Sequence, residues 1–327
     1  MRPGLKAASL ALGCLFGLVL LEVGARVMFP PKLALDDRLG WRPETESGRL
    51  DETAFRSFGD PAAARAKLLV LGDSFTYARG IPPEKTYYGI LGRELPAEVF
   101  AFGGEGYATL QESMVYEDFS DRVAPHIVLW QLHEDDLCGN SYECERLDWN
   151  MAHDNGLRRP YLGSGGEVIY ATPSFPRLPA PLGPAIDAVR RVSRLADVVF
   201  HRVALMLRKT RPAPTDKDRE TGQRMTRTIL AKASRRRLKR ETSIYAFASA
   251  GPEDVFQAAC RESGVEFIPL IGKAVREAAG RGEPVYAPDG IHWSEVGHAI
   301  VARELKAYLR KRRPAAAPAK RPRRRTV

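Results

Sequence analysis

Apolar residues in this chain fall into three arrangements. An uninterrupted run from Ala7 to Leu21 opens it. Short continuous apolar segments follow at Lys67–Leu71, Glu98–Phe102 and His126–Leu132. Unbroken runs of this length are the signature of parallel strands buried on both faces. Between and after them, Glu84–Leu95 and Thr109–Val123 carry apolar residues at helical spacing. Near the C-terminus the alternation resumes. Val265–Leu270 reads as a strand, Lys273–Ala279 as a helix, and Ser294 to about Leu309 as a final helix with Ser294 as its N-cap.

Strands alternating with helices predict a parallel sheet covered on both faces. The expected fold is α/β: a three-layer α/β/α, flavodoxin-like parallel sheet with a helical insertion. Ligands in such sheets bind at the carboxyl ends of the strands, where Ser74, Gly106 and Asp135 all fall in this sequence.

The middle of the chain is irregular. Pro160-Tyr161-Leu162 and Glu167-Val168-Ile169-Tyr170 flank a Gly163-Ser164-Gly165-Gly166 turn and predict a hairpin. Pro181–Leu207 has helical spacing at Ala185, Val189, Val192 and Leu195, and Arg224–Arg240 reads as a basic helix. Ser243–Phe247 is the one strand candidate before a helix at Pro252–Ser263.

Charge divides the chain. The formal net charge is +10, but Lys311–Val327 holds eight Lys/Arg and no acid, and Arg208–Arg240 holds thirteen Lys/Arg against three acids. The remainder is therefore acidic. No nucleic-acid module accompanies the basic segments, which argues against nucleic acid as a partner and for anionic lipid or acidic glycan. Three prolines and the lack of acids and large apolar residues predict a disordered tail over 311–327.

Cations at Arg2 and Lys6 before the first apolar run place the N-terminus in the cytoplasm. The run is short for a spanning helix of roughly 20 residues, unless it continues past Glu22 and Arg26 to Phe29. Three readings stand: a retained membrane anchor, a signal peptide cleaved near Val23-Gly24-Ala25, and lipidation at Cys14. All three export the body. The expected organisation is an N-terminal anchor or signal sequence over 1–29, a Pro-rich stalk over 30–65, a catalytic body over 66–310 with an insertion at about 180–242, and the tail. The expected location is the inner membrane, single-pass, with the body on the exported side. Export permits a disulfide between Cys138 and Cys144, although two free thiols satisfy the sequence equally. Cys260 reads as core packing, and no Cys/His spacing suggests a metal site.

Chemistry concentrates in four blocks: Gly72-Asp73-Ser74-Phe75-Thr76, Phe102 to Gln111, Ile127 to Leu137, and Asp289-Gly290-Ile291-His292 continuing to His298. In this order they resemble the SGNH (GDSL-type) hydrolases, especially the membrane-tethered carbohydrate esterases and alginate-type O-acetyltransferases. The resemblance covers about residues 65–310. A serine hydroxyl needs a base to take its proton, and the base works best when a carboxylate fixes its ring. The resemblance makes Ser74 the nucleophile, His292 the base and Asp289 its orienter. It places the oxyanion hole at the Ser74 and Gly106 amides and at position 135, and it calls for no cofactor.

Two positions depart from the family pattern. The Asn that usually stands five residues before the glycine is Ala101, and the Asn of the third block is Asp135. An ionised carboxylate repels an oxyanion, so Asp135 could donate only if protonated. Otherwise the hole has two donors, or the chain retains binding without catalysis. The substrate class implied is an ester, or an O-acyl group of envelope carbohydrate. Hydrolysis and transfer to a sugar hydroxyl stay equally open at this point.

Overall fold

A computed structural model describes residues 3–29, 33–43, 57–58, 66–147, 157–172, 182–208, 213–236, 238 and 241–312. The chain begins with helix α1 (Pro3–Met28), the hairpin β1 (Leu33–Asp36) and β2 (Gly40–Pro43), and the short β3 (Ser57–Phe58). The body then runs β4 (Ala66–Gly72), α2 (Ser74–Tyr77), α3 (Tyr87–Glu94), β5 (Ala97–Gly103), α4 (Thr109–Val123) and β6 (Ile127–Leu132). Next come α5 (Asp136–Gly139), α6 (Tyr142–Glu145), the hairpin β7 (Arg159–Leu162) and β8 (Val168–Ala171), and the helices α7 (Leu182–Val192), α8 (Arg194–Arg208) and α9 (Asp216–Ser234). The chain closes with β9 (Ser243–Ala248), α10 (Glu253–Ser263), β10 (Glu266–Phe267), α11 (Ile271–Gly280) and α12 (Glu295–Arg312).

The main sheet has the order β10-β9-β6-β4-β5-β3. Five strands are parallel, and β3 adds antiparallel to the β5 edge. This is the doubly wound flavodoxin-like order, with β4 central and the chain switching direction beside it. Alternate residues of each strand serve opposite layers. Leu69 and Leu71 of β4 pack with Val128 and Trp130 of β6 against α4, α9 and α10, through Met114, Phe119, Ile229 and Phe256. Leu68 and Val70 face the other way, onto α3, α11 and α12, through Tyr88, Leu91, Val275, Val301 and Leu305. Burying each such side chain contributes roughly 1.5–3 kcal/mol. The expected three-layer α/β/α fold is the observed one.

Several elements differ from the sequence expectation. The strand expected over Val265–Leu270 is only Glu266–Phe267, because Pro269 has no N–H to continue a ladder and Leu270 turns into the left-handed region at φ 70°. The helix expected from Glu84 starts at Tyr87, where the Thr86 hydroxyl caps it by accepting from Gly89 N–H at 3.1 Å. Part of the segment expected as a stalk belongs to the body: Leu39 and Trp41 are each 1% exposed in the core. The tail beyond Arg312 lies outside the described residues.

Candidate active site

The turn that carries Ser74 is built where β4 ends. Ser74 opens α2, and the Asp73 carboxylate caps it by accepting from Phe75 N–H at 2.8 Å. Gln131, fully buried on β6, braces the same turn. Its Oε1 accepts from Asp73 N–H at 3.2 Å and from the Thr76 hydroxyl at 2.9 Å, while its Nε2 donates to Ser249 Oγ at 3.1 Å. Gly103 at the end of β5 lets α2 approach the sheet; a Cβ there would stand 2.1 Å from Tyr77 N.

The second half of the site is a tight loop before α12. Asp289 Oδ1 accepts from the N–H groups of Ile291 (2.9 Å) and His292 (3.0 Å). Oδ2 is thereby turned to His292 Nδ1 at 2.7 Å, and Nε2 of the same ring stands 2.8 Å from Ser74 Oγ. Ala287 N–H donates to His292 O at 2.8 Å and pins the loop. Phe75 joins the two halves, with its ring 5.1 Å from His292 and 4.8 Å from the buried Trp293. Partial desolvation pushes the Asp289 carboxyl up, but the hydrogen bonds from Ile291 and His292 outweigh it and hold it below the usual aspartate range. Asp289 therefore stays ionised beside the ring.

Gly106 sits at φ 71° in the turn after β5, a conformation that glycine adopts without strain. Among the described residues, neither the Ser74 nor the Gly106 N–H donates to a protein acceptor. Trp41 holds this turn from outside: its Nε1 donates to Glu105 O at 2.7 Å, and Tyr107 Oη donates back to Trp41 O at 2.7 Å. Gln111 ties the same region together. Its Nε2 donates to Leu39 O at 2.6 Å, and its Oε1 accepts from Ala108 N–H and from the Arg159 guanidinium. Nothing in the sequence pattern singles out Arg159; for Trp41, a tryptophan among charged residues was the available signal.

After β6 the third block forms a tight turn. Asp136 is buried and accepts from Thr109 N–H at 2.8 Å and His133 N–H at 2.7 Å. Asp135 is half-buried, with its carboxylate 3.4 Å from His133 Nδ1. Burial lowers the affinity of the His133 ring for a proton. The hydrogen bond to Asp135 and the charges of Asp73, Asp135 and Asp136 outweigh that and hold its pKa up to about 9. His133 also stacks on Phe75, 5.2 Å between centroids. Cys138 and Cys144 are disulfide-bonded, with Cα atoms 5.2 Å apart, and so fix the loop that follows.

His298 and His126 have structural places. His298, on α12, accepts from Tyr87 N–H at 3.3 Å and stacks on its ring. His126 accepts from Lys67 N–H, and His153 lies outside the described residues. Cys260 is buried in the core, which pushes its thiol up to about 12. Among the described residues, no group of three His, Cys, Asp or Glu is placed to hold a metal ion.

The strand order and the position of this cluster at the carboxyl ends of β4, β5 and β6 define an SGNH-hydrolase-like α/β/α fold. No family model matches the chain, and no curated protein matches it. Solved structures similar to it include TesA, at 13% identity over 75% of this chain and 98% of that one, with a TM-score of 0.41. Others are a G-D-S-L family lipolytic protein from Veillonella parvula (12% identity, 75% and 99% coverage, TM-score 0.35) and a mutant of Axe2, an acetylxylan esterase from Geobacillus stearothermophilus (15%, 74% and 93%, 0.39).

Proposed function

We propose that the chain is a serine hydrolase of ester bonds, of the SGNH type. Its body is tethered on the exported side of the inner membrane by α1 and acts on O-acyl groups of envelope carbohydrate. The reading rests on one observation above the rest: Ser74 Oγ, His292 and Asp289 form a continuous relay at 2.8 and 2.7 Å. The substrate class rests on the resemblance of the four sequence blocks, and the location on α1, whose stretch Ala11–Met28 is long and apolar enough to cross a bilayer.

Ser74 Oγ attacks the acyl carbon as its proton passes to His292 Nε2. The carbonyl oxygen becomes an oxyanion and takes hydrogen bonds from the Ser74 and Gly106 amides. Each preorganised donor is worth about 3–4 kcal/mol of barrier. Asp289 stabilises the imidazolium without taking its proton. Collapse breaks the ester C–O bond, and His292 protonates the departing alkoxide. Water, deprotonated by His292, then attacks the acyl-enzyme and releases the acid and free Ser74. A sugar hydroxyl in place of that water would give the O-acetyltransferase outcome.

Fluorophosphonate labelling with peptide mapping tests this reading. The adduct is expected on Ser74. Ser74→Ala is expected to lose both labelling and p-nitrophenyl acetate cleavage while keeping the parent melting temperature. Equal cleavage by mutant and parent at equal melting temperature overturns the assignment. Absence of turnover and labelling in the folded parent would favour a glycan-binding protein without catalysis.

A further inference from the structure

Helices α7 and α8 leave an apolar stripe uncovered. On α7 it comprises Leu182, Val189 and Val192, at spacings of seven and three; on α8, Val199, Val203 and Met206, at spacings of four and three. These intervals place each set along one side of its helix. Val192 and Met206 are 73% and 72% exposed. Such a face on a water-soluble surface is costly, and no part of the described body covers it.

The place of this pair along α1 indicates what covers it. The Glu22 carboxylate of α1 accepts from Arg194 N–H at 2.8 Å, Leu195 N–H at 3.0 Å and Ser193 Oγ at 2.8 Å, so it caps the start of α8. Arg26 bonds Glu22 and donates to Val192 O at 2.9 Å. The turn between α7 and α8 is thus fastened to α1 at Glu22 and Arg26. The uninterrupted apolar run Ala7–Leu21 of α1, at about 1.5 Å per residue, covers about 22 Å of a hydrocarbon core of ~30 Å, and the apolar stretch Ala11–Met28 continues past Glu22. Glu22 therefore falls in the outer part of a bilayer crossed by α1, within about 9 Å of the end of that stretch at Met28. Both charges in the outer part of the apolar helix are satisfied there by α7 and α8.

We propose that α7 and α8 form a second membrane contact: an interfacial helix pair whose apolar stripe enters the acyl–headgroup boundary of the leaflet that α1 reaches. The partner is a phospholipid surface. Amphipathic helices with a wide apolar face and flanking cations lie in this plane, and Arg202, beside the stripe on α8, is exposed. The pair fixes the orientation of the body over the membrane, which a single spanning helix leaves free to rotate. The proposal rests on the reading of α1 as a membrane span.

Site-directed spin labelling of the full chain in phosphatidylethanolamine/phosphatidylglycerol nanodiscs tests it. Single cysteines replace Val199, Val203 or Met206 in a Cys14→Ser background, with Leu18→Cys as the reference in α1 and Ser164→Cys, in the exposed β7–β8 turn, as the reference in water. Each variant is first checked by its melting curve. The three α8 labels are expected to favour oxygen over a nickel chelate as collision partner several-fold more than the Ser164 label does, at shallower depth than the Leu18 label. A deep Leu18 label with α8 labels open to nickel overturns the proposal and leaves the anchor standing. α8 labels shielded from both reagents would mean cover by protein, such as a second copy, and also overturn it. A Leu18 label in water overturns the anchor and the proposal together.

Discussion

The Asp135 carboxylate lies 3.4 Å from Nδ1 of His133, and the Asp135 N–H lies 3.3 Å from the same nitrogen, so an acid and a histidine occupy the turn where the family resemblance calls for a neutral amide. Burial disfavours the ring's cation, but the hydrogen bond to Asp135 and the charges of Asp73, Asp135 and Asp136 outweigh that and hold its pKa up to about 9. In the proposed mechanism the Ser74 and Gly106 amides bind the oxyanion, and the side chain at 135 is not the neutral amide that the resemblance calls for. The folded-state pKa of His133 is raised above the ordinary value of 6.5. The stability it contributes is fully present below about 6.5 and is lost as pH rises through about 9.

Asp135→Asn replaces the carboxyl group with a neutral amide donor. Turnover of p-nitrophenyl acetate at pH 7–8 is expected to rise by about tenfold, part of the 10²–10³ that a full donor commands. The His133 pKa, followed by NMR of its ring protons, is expected to fall from about 9 toward 6.5. A slower mutant whose His133 pKa has fallen as expected would mean that Asp135 serves catalysis in another way.

Gly103→Ala places a methyl group 2.1 Å from the backbone nitrogen of Tyr77. Neither backbone can yield cheaply, since one belongs to β5 and the other to the turn that carries Ser74. Overpacking of this kind costs about 1–3 kcal/mol or more. The melting temperature is expected to fall by several degrees and fluorophosphonate labelling of Ser74 to slow. Unchanged labelling in a destabilised variant would separate the packing of this contact from the positioning of the nucleophile.

Glu112 is buried beneath the site, with Oε2 accepting from Trp130 Nε1 at 2.5 Å and, among the described residues, no hydrogen-bond partner for Oε1. Burial, then the charges of Asp136 and Asp73, push its carboxyl well above the usual range. Asp136 is also raised by burial, but it accepts two backbone N–H groups, so Glu112 is the better holder of the proton. A raised carboxyl binds more protons folded than unfolded, and stability therefore falls as pH climbs above the unfolded value of about 4.5. Glu112→Gln keeps shape and neutrality. It is expected to melt at or above the parent temperature at pH 8 and to show a flatter decline with pH. A large loss of stability at pH 8 would show that the carboxylate is needed in its charged form.

Parts of the molecule with strong local patterns were legible in the sequence. The strands at 66–72 and 127–132 are buried on both faces and so read as continuous apolar runs. Thr109–Val123 is a helix over the expected bounds, and Ser294 does cap α12, accepting from the N–H groups of Val296 and Gly297. The Ser74, His292 and Asp289 motifs were visible because each is contiguous in sequence. What escaped depends on pairings across long separations. The hairpin at 33–43 has strands of only four residues, too short to show a period, and its burial follows from Leu39 and Trp41 meeting α4 and the turn after β5. The raised proton affinity of His133 was not legible, because it is set by Asp73, sixty residues earlier, as well as by its neighbours.

Trp41 gives a test of that hidden support. Its indole N–H donates to Glu105 O, one residue before Gly106, and its own carbonyl accepts from Tyr107 Oη, one residue after. The Gly106 amide is thus clamped from both sides by a residue that touches neither Ser74 nor His292. Trp41→Phe keeps most of the buried ring and the carbonyl bond but deletes the indole donor. Losing one neutral hydrogen bond and leaving Glu105 O unpaired costs about 1–3 kcal/mol, so a drop of a few degrees in melting temperature is expected. If the Gly106 amide serves the oxyanion, loosening it should lower kcat by about tenfold with KM nearly unchanged, because the interaction strengthens only in the transition state. A purely structural role would lower the melting temperature and leave kcat at the parent value at temperatures well below the transition.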